Sequence, residues 1–361
     1  MKYLQARLRT SIVNQIILTL LLGGIIGGLY TGQIGPWEEW YAWPLFLLYY
    51  TLIQLPFEFI GGYRIAERNS RTLETSMSWI WNWIRANVIM ILFMSLFGYG
   101  LLFLAAWKGI LAALGGMIIW MLLLTGFRQY LARLLSPFEV RHESNRGRLT
   151  LYLKTDDKGF TGGISGIPGQ ETIIMPAFWD DKWEKPVSDL LLARRHGALN
   201  TGSHGLGLFV SLLFQIGLFA GAAFLAQNPG TTTWLIETIC FYSLFNHLFI
   251  AFGIAPLNRA GTFQMDRWVY FKKVDGDIIR EAMEKTRRFQ DDPGYSLPSL
   301  LKVSSSLAQR REKLSTGKNF KGAWHMASVW NFFSLMTGSL LVRSLPGVIG
   351  MPGRWVYSPV E

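Results

Sequence analysis

Six long apolar stretches constrain this chain more than anything else in it, and five of them contain no charged residue. A helix needs roughly 20 apolar residues in a row to cross a bilayer, because every backbone N–H and C=O must be satisfied inside the helix itself. Ser11–Tyr30 meets that requirement outright. Trp40–Phe57 is shorter and carries Pro44 and Gln54, but Trp37, Trp40, Tyr41 and Trp43 crowd its outer end as aromatics do at a membrane interface. Asn87–Trp107 and Gly109–Phe127 are separated only by Lys108, which predicts a tight helical hairpin. Leu206–Ala226 and Thr232–Ile254 predict a second hairpin around Gln227-Asn228-Pro229-Gly230. The expected fold class is mainly α: a polytopic membrane helix bundle of about six spans with a small α+β part outside the bilayer.

His325–Val342 leaves a seventh span open. It is uncharged apart from His325, but Ser328, Asn331, Ser334, Thr337, Gly338 and Ser339 dilute it. An interfacial or re-entrant helix is the preferred reading over a full crossing. The first 30 residues read as a retained signal anchor, since the apolar run is too long for a signal peptide and no small-x-small site closes it.

Composition agrees with a membrane protein. Half the residues are hydrophobic and 16% are charged, against about 25% charged in soluble domains. Cys240 is the only cysteine, so neither an internal disulfide nor a thiolate metal cage is available. The 35 Lys and Arg against 24 Asp and Glu leave +11. Arg and Lys crowd the N-terminus, the connection holding Arg64, Arg68, Arg71 and Arg85, the stretch 128–205 and everything after Ala255. That distribution places both termini and the polar segments in the cytoplasm, and suggests a bacterial inner (cytoplasmic) membrane. Four regions follow: 1–135 with four spans, 136–205 a cytoplasmic β-meander plus helix, 206–254 a two-span hairpin, and 255–361 a cytoplasmic or interfacial helical tail.

Within 136–205, Leu149–Lys154 alternates and Glu171–Met175 is β-prone, with Gly159, Gly162, Gly163, Gly166, Pro168 and Gly169 between them. These glycines read as turn residues, because no Gly-Lys-Ser/Thr follows them. Val187–Leu199 has helical spacing and leads into the fifth span, and Gly261–Phe289 reads as an amphipathic helix. The basic stretch Lys302–Lys321 reads as a solvated face or one drawn to anionic headgroups. Nucleic acid is not an expected partner, because no recognition module accompanies these charges.

The residues alone assemble no catalytic constellation. Two histidine ligands on one helix need a spacing of three or four, whereas among His142, His196, His204, His247 and His325 the nearest pair on one segment is eight apart with no carboxylate between. Glu237 and His247 lie within the sixth span and are candidates for an intramembrane polar site, since ionisable groups there are costly. His247 also suits a plain hydrogen bond to a neighbouring helix. Gly23, Gly24, Gly27 and Gly28, with Gly217 and Gly221, have small-residue spacing that suits helix packing, within the bundle first and onto a partner second.

The order of elements resembles the integral-membrane zinc metallopeptidases of the CAAX prenyl protease and heat-shock membrane protease type. The resemblance rests on Leu55-Pro-Phe-Glu58, Arg64-Ile-Ala-Glu67-Arg68, Trp79-Ile-Trp-Asn-Trp83, Gly159-Phe-Thr-Gly-Gly163 with Ile173-Ile-Met-Pro176, and Ser188–Ala198, over roughly residues 54–289. It implies a metallopeptidase-like cytoplasmic part. The family holds zinc with His-Glu-x-x-His and a later Glu, followed four residues on by an Asp. Laid on this chain, the two histidines fall at Arg194 and Ala198, the general base at Arg195, and the third ligand at Thr262, while the partner Asp survives as Asp266. No His-Glu-x-x-His exists anywhere in the sequence.

Guanidiniums stay protonated and repel a dication, so the resemblance implies a degenerate member without a metal or other cofactor. Arg194 and Arg195 are expected to pair with Asp266 in the metal's stead. The function expected is a non-catalytic accessory, scaffold or assembly subunit, in contact with lipid and with other membrane subunits. The alternatives are an active metalloendopeptidase with atypical ligands, drawing on His196, His204 and Asp266, and a transporter or lipid-binding protein using Glu237 and His247.

Overall fold

A computed structural model of the chain describes residues 3–34, 37–135, 139–145, 148–154, 160–182, 185–271 and 320–352 continuously, with 277–279, 281, 284, 305, 307–316 and 355. The long apolar runs become α1 (Tyr3–Tyr30), α2 (Ala42–Glu58), α4 (Ser76–Lys108), α5 (Ile110–Leu135), α8 (Ser203–Leu225) and α9 (Thr232–Phe249). A π-turn over Phe59–Arg64 carries α2 into α3 (Ile65–Arg68). A second, Ile250–Ile254, bends α9 into α10 (Ala255–Phe271). Among the described residues five helices are long and apolar enough to cross a membrane, six if the bent pair α9–α10 is one span. Side-chain caps fix two starts: Thr75 accepts from Ser78 N–H at 3.3 Å before α4, and Thr231 from Trp234 N–H at 3.1 Å before α9.

The bundle is apolar outside and polar within. Leu20, Leu92, Phe103, Leu111 and Ile119 are exposed on its outer face, where lipid would cover them. Asn14, Gln54, Glu58, Gln215 and Asn246 are fully buried. A water-soluble fold would show the opposite arrangement.

Outside the bundle lies a sheet of β1 (Glu139–Asn145), β2 (Leu149–Lys154), β3 (Gly163–Ser165) and β4 (Thr172–Pro176), in the order β1-β2-β4-β3. It is not the expected meander, because β4 inserts beside β2 in parallel and the β3–β4 hairpin closes the far edge. Burial explains the placement: all five residues of β4 are buried, so the run Thr-Ile-Ile-Met-Pro belongs at the centre. Gly162, Gly166 and Gly169 adopt positive φ, as turn residues do. Gly159 lies outside the described residues, as do the side chain of His142 and most of 272–306. Short α6 (Ala177–Lys182) leads to α7 (Lys185–Asn200), which realises the predicted helix before the fifth span.

His325–Val342 takes the re-entrant form of the two expected for it, and not the interfacial one. It forms α12 (Met326–Thr337) and a 3-10 turn Leu340–Ser344, and every residue of both is buried. The segment is not interfacial. It rises from beside the starts of α8 and α10 to mid-depth, where Trp120 donates to Met336 O at 3.3 Å and Ser243 to Gly338 O at 3.1 Å. It then returns to the start of α4, where Trp79 donates to Gly350 O at 2.9 Å. Its polar residues meet polar walls rather than headgroups. Arg128 donates to Ser328 Oγ at 2.9 Å, Trp330 and Ser334 donate to Asn246 at 3.0 and 3.4 Å, and Thr337 lies 2.8 Å from Tyr242 Oη.

Candidate functional site

The positions matched to the zinc ligands converge on α7 and α10, and all of them are buried. Helix α7 presses onto α10 at Gly197, where any Cβ would meet the Trp268 ring. That approach brings Arg194 Nη2 within 3.1 Å of Asp266 Oδ1. Helix α11 (Leu307–Ser315) closes the cluster from the other side. Arg310 forks onto Asp266 with Nε at 2.6 Å and Nη2 at 2.7 Å. A small pocket bordered by Leu190, Leu191, Arg194, Asp266, Val269, Ile279 and Arg310 adjoins the triad.

Arg195 departs from the expectation. It donates to the carbonyls of Ile174 and Thr161 and packs over Trp179, so it ties α7 to the sheet and not to Asp266. Consecutive helical residues do not face the same way, so one carboxylate cannot readily collect both. Ala198 lies in an apolar cluster with Ile173, Trp179, Met265 and Trp324. Thr262 donates its hydroxyl to Asn258 O at 3.0 Å within its own helix. The donor set therefore does not fit zinc: two fixed cations, a methyl group and a committed hydroxyl stand where two imidazoles, a general base and a carboxylate would be required.

His196, His204 and Asp266 do not form a substitute, since among the described residues no three His, Cys, Asp or Glu side chains gather in a metal-binding group. His196 is half-buried, and burial together with the charge of Arg148 holds its imidazole below the usual histidine range. His204 is buried beside His325, which stands at the N-cap of α12 with φ +62° and packs at a tilt against Trp324 with ring centroids 4.0 Å apart. Burial first, then the charges of Arg195, Arg194 and Arg128 with His204 nearby, pushes His325 well below its ordinary value. The charged Arg194 packs over the Trp324 ring at 5.1 Å.

The other candidates lie apart. Glu237 accepts the backbone N–H of Gln227 at 2.8 Å and so closes the α8–α9 turn. His247 is ten residues further along α9, about 15 Å away, and the two form no joint site. Gly23, Gly24, Gly27 and Gly217 have open space where a Cβ would stand. Gly28 touches only Ile34, and Gly221 reaches Phe245 at 3.9 Å. Gly23, Gly24, Gly27 and Gly217 thus lie on outward faces of α1 and α8, whereas Gly28 is buried.

Sequence reasoning missed Arg310, Glu58 and Arg343. Arg310 sits in a basic run that reads as solvated, yet it is 5% exposed. Glu58 stands in the sequence only as the last residue of Leu55-Pro-Phe-Glu58, and it is fully buried against Arg343, with Nε to Oε1 at 3.0 Å and Nη2 to Oε2 at 2.7 Å. An isolated carboxylate at the end of an apolar span is the one signal that could have flagged it.

No protein-family model matches the sequence, and no curated protein matches it. The fold does match a solved structure. The crystal structure of S. mikatae Ste24p aligns with a TM-score of 0.61 at 15% identity, covering 75% of this chain and 74% of that one. The chain therefore has the polytopic helical fold of Ste24p, with five or six helices among the described residues long and apolar enough to cross a membrane.

Proposed function

We propose that this protein is a non-catalytic relative of the membrane zinc peptidases that serves as an accessory, scaffold or assembly subunit of a larger membrane complex. The observation that carries this reading is the Arg194–Asp266–Arg310 cluster, which puts fixed positive charge where the family's fold would present metal ligands. Asp266 is held by two guanidiniums, Arg310 through a fork and Arg194 at 3.1 Å. The outward glycine faces of α1 and α8 support lateral contacts with other membrane subunits, alongside lipid. The Arg and Lys distribution supports a bacterial cytoplasmic membrane with the sheet and α7 on the cytoplasmic side.

The fold likeness to Ste24p favours one alternative, an active metalloendopeptidase with atypical ligands. Elemental analysis of the purified protein, paired with a peptide-cleavage assay, separates the two. The scaffold reading expects no stoichiometric zinc and no cleavage. Zinc at one per chain with cleavage abolished by a chelator would replace it with the enzyme. Affinity purification in mild detergent should then recover a defined set of membrane partners.

A further inference from the structure

The interior of the bundle is already occupied, and by this chain. Segment 322–352 is held at two clasps. In the first, between α7, α8 and α10, the backbone is gripped as an extended peptide would be: Ser203 Oγ donates to Gly322 O at 2.6 Å and accepts from Trp324 N–H at 2.8 Å. Leu257 O accepts from Ala323 N–H at 3.2 Å, and Gln264 Oε1 from Gly322 N–H at 3.0 Å. Gly261 leaves room there for backbone and nothing more. In the second clasp Glu58 forks onto Arg343, and Gly350 lies so close to Glu58 O that no Cβ could be added.

The fit between the clasps is incomplete. Asn14 stands one helical turn beyond Ser11, which donates to Ser344 O, and Gln54 one turn before Glu58, so both amides face this segment. Neither amide has a hydrogen-bond partner although both are fully buried, and the Tyr50 hydroxyl on the same face of α2 also lacks one. Each orphaned group weakens the occupied state and would recover a partner in water.

We propose that residues 322–352 are an intramolecular plug, which fills a polar chamber in the bundle and withdraws as a unit when the Glu58–Arg343 clasp opens. The chamber becomes open to an incoming polypeptide only then, whether or not the molecule cuts anything.

The native Cys240 reports on this directly. It is fully buried, one residue from Ile239, which touches Gly338, and one turn before Ser243, which bonds Gly338. Its rate of labelling by N-ethylmaleimide is measured in the full chain in lipid nanodiscs. Glu58→Gln should raise that rate at least about tenfold, and Glu58→Met with Arg343→Met should restore slow labelling, because an apolar pair leaves no stranded charge. Ala113→Cys in a Cys240→Ala background, buried near the α4–α5 turn, should stay protected when Glu58→Gln is added. Unchanged labelling of Cys240, or equal acceleration at both sites, overturns the plug. Should Glu58→Gln fail to fold, Gly350→Ala presses the same clasp apart without uncovering a charge, and the same readings apply.

Discussion

Two carboxylates are buried against arginine in this molecule, and their surroundings differ in a way that separates redundancy from a lock. Asp266 receives Arg310 through a fork and Arg194 through a single nitrogen, so the cluster carries one positive charge in excess. Among the described residues Glu58 receives Arg343 alone of the arginines, and that pair is charge-balanced. Trp83 Nε1–H donates to Glu58, and the Trp355 ring lies 4.3 Å under the Arg343 guanidinium. The first cluster joins helices outside the bundle core (α7, α10 and α11). The second pins the 3-10 turn into the bundle. Among the described residues one has a spare cation and the other only a neutral indole donor.

Removing each partner in turn tests that contrast. The largest effect is expected for Asp266→Ala, which strands two guanidiniums that cannot shed their protons. Breaking a buried pair typically costs about 3–5 kcal/mol, and this variant should sit at or beyond the top of that range in a reversible SDS or thermal unfolding assay. Unchanged stability would mean that the cluster is open to water and binds nothing together. Arg343→Leu should come next, within about 3–5 kcal/mol, because a lone buried carboxylate has an escape that arginine lacks: it can take up a proton. Arg194→Leu should cost less again, below the roughly 3–5 kcal/mol of a broken buried pair, since Arg310 still forks onto Asp266 and no charge is stranded. If Arg194→Leu proved as damaging as Asp266→Ala, the redundancy would be wrong.

The same contrast marks what the sequence could disclose. The spans were legible because lipid leaves no alternative: about 20 uncharged residues must form a helix with its backbone satisfied internally. Helix α7 was legible from its spacing, and the direction of Arg195 was recoverable from helical geometry, since residues 194 and 195 point to different neighbours. Segment 325–342 was not. Ser328, Asn331, Ser334 and Thr337 lower its hydropathy, and nothing local tells a helix bathed in headgroups from one packed against Arg128, Asn246 and Tyr242. Arg310 was hidden for a related reason. In a run of exposed cations the one that turns inward looks like its neighbours, and only Asp266, 44 residues earlier in the chain but a direct neighbour in space, reveals it.

The smallest effect is a titration at the edge of the arginine cluster. His325 is neutral in the folded protein, because burial and the neighbouring guanidiniums of Arg195, Arg194 and Arg128 oppose a further charge. In the unfolded chain its imidazole takes up a proton near pH 6.5. The folded pKa is therefore the lower of the two, so the stability it gives is complete above about pH 6.5 and is lost as pH falls below it, by up to about 1.4 kcal/mol per pH unit for the one proton. His196 adds a loss of the same sign. His325→Asn removes the imidazole while keeping a residue that tolerates the left-handed φ of +62° at this position. Unfolding measured from pH 7.5 to 5 should show a shallower slope in His325→Asn than in the parent, with some slope remaining from His196. Identical slopes would place His325 in contact with solvent, and the first clasp of the segment would then be open on the side that faces the arginines.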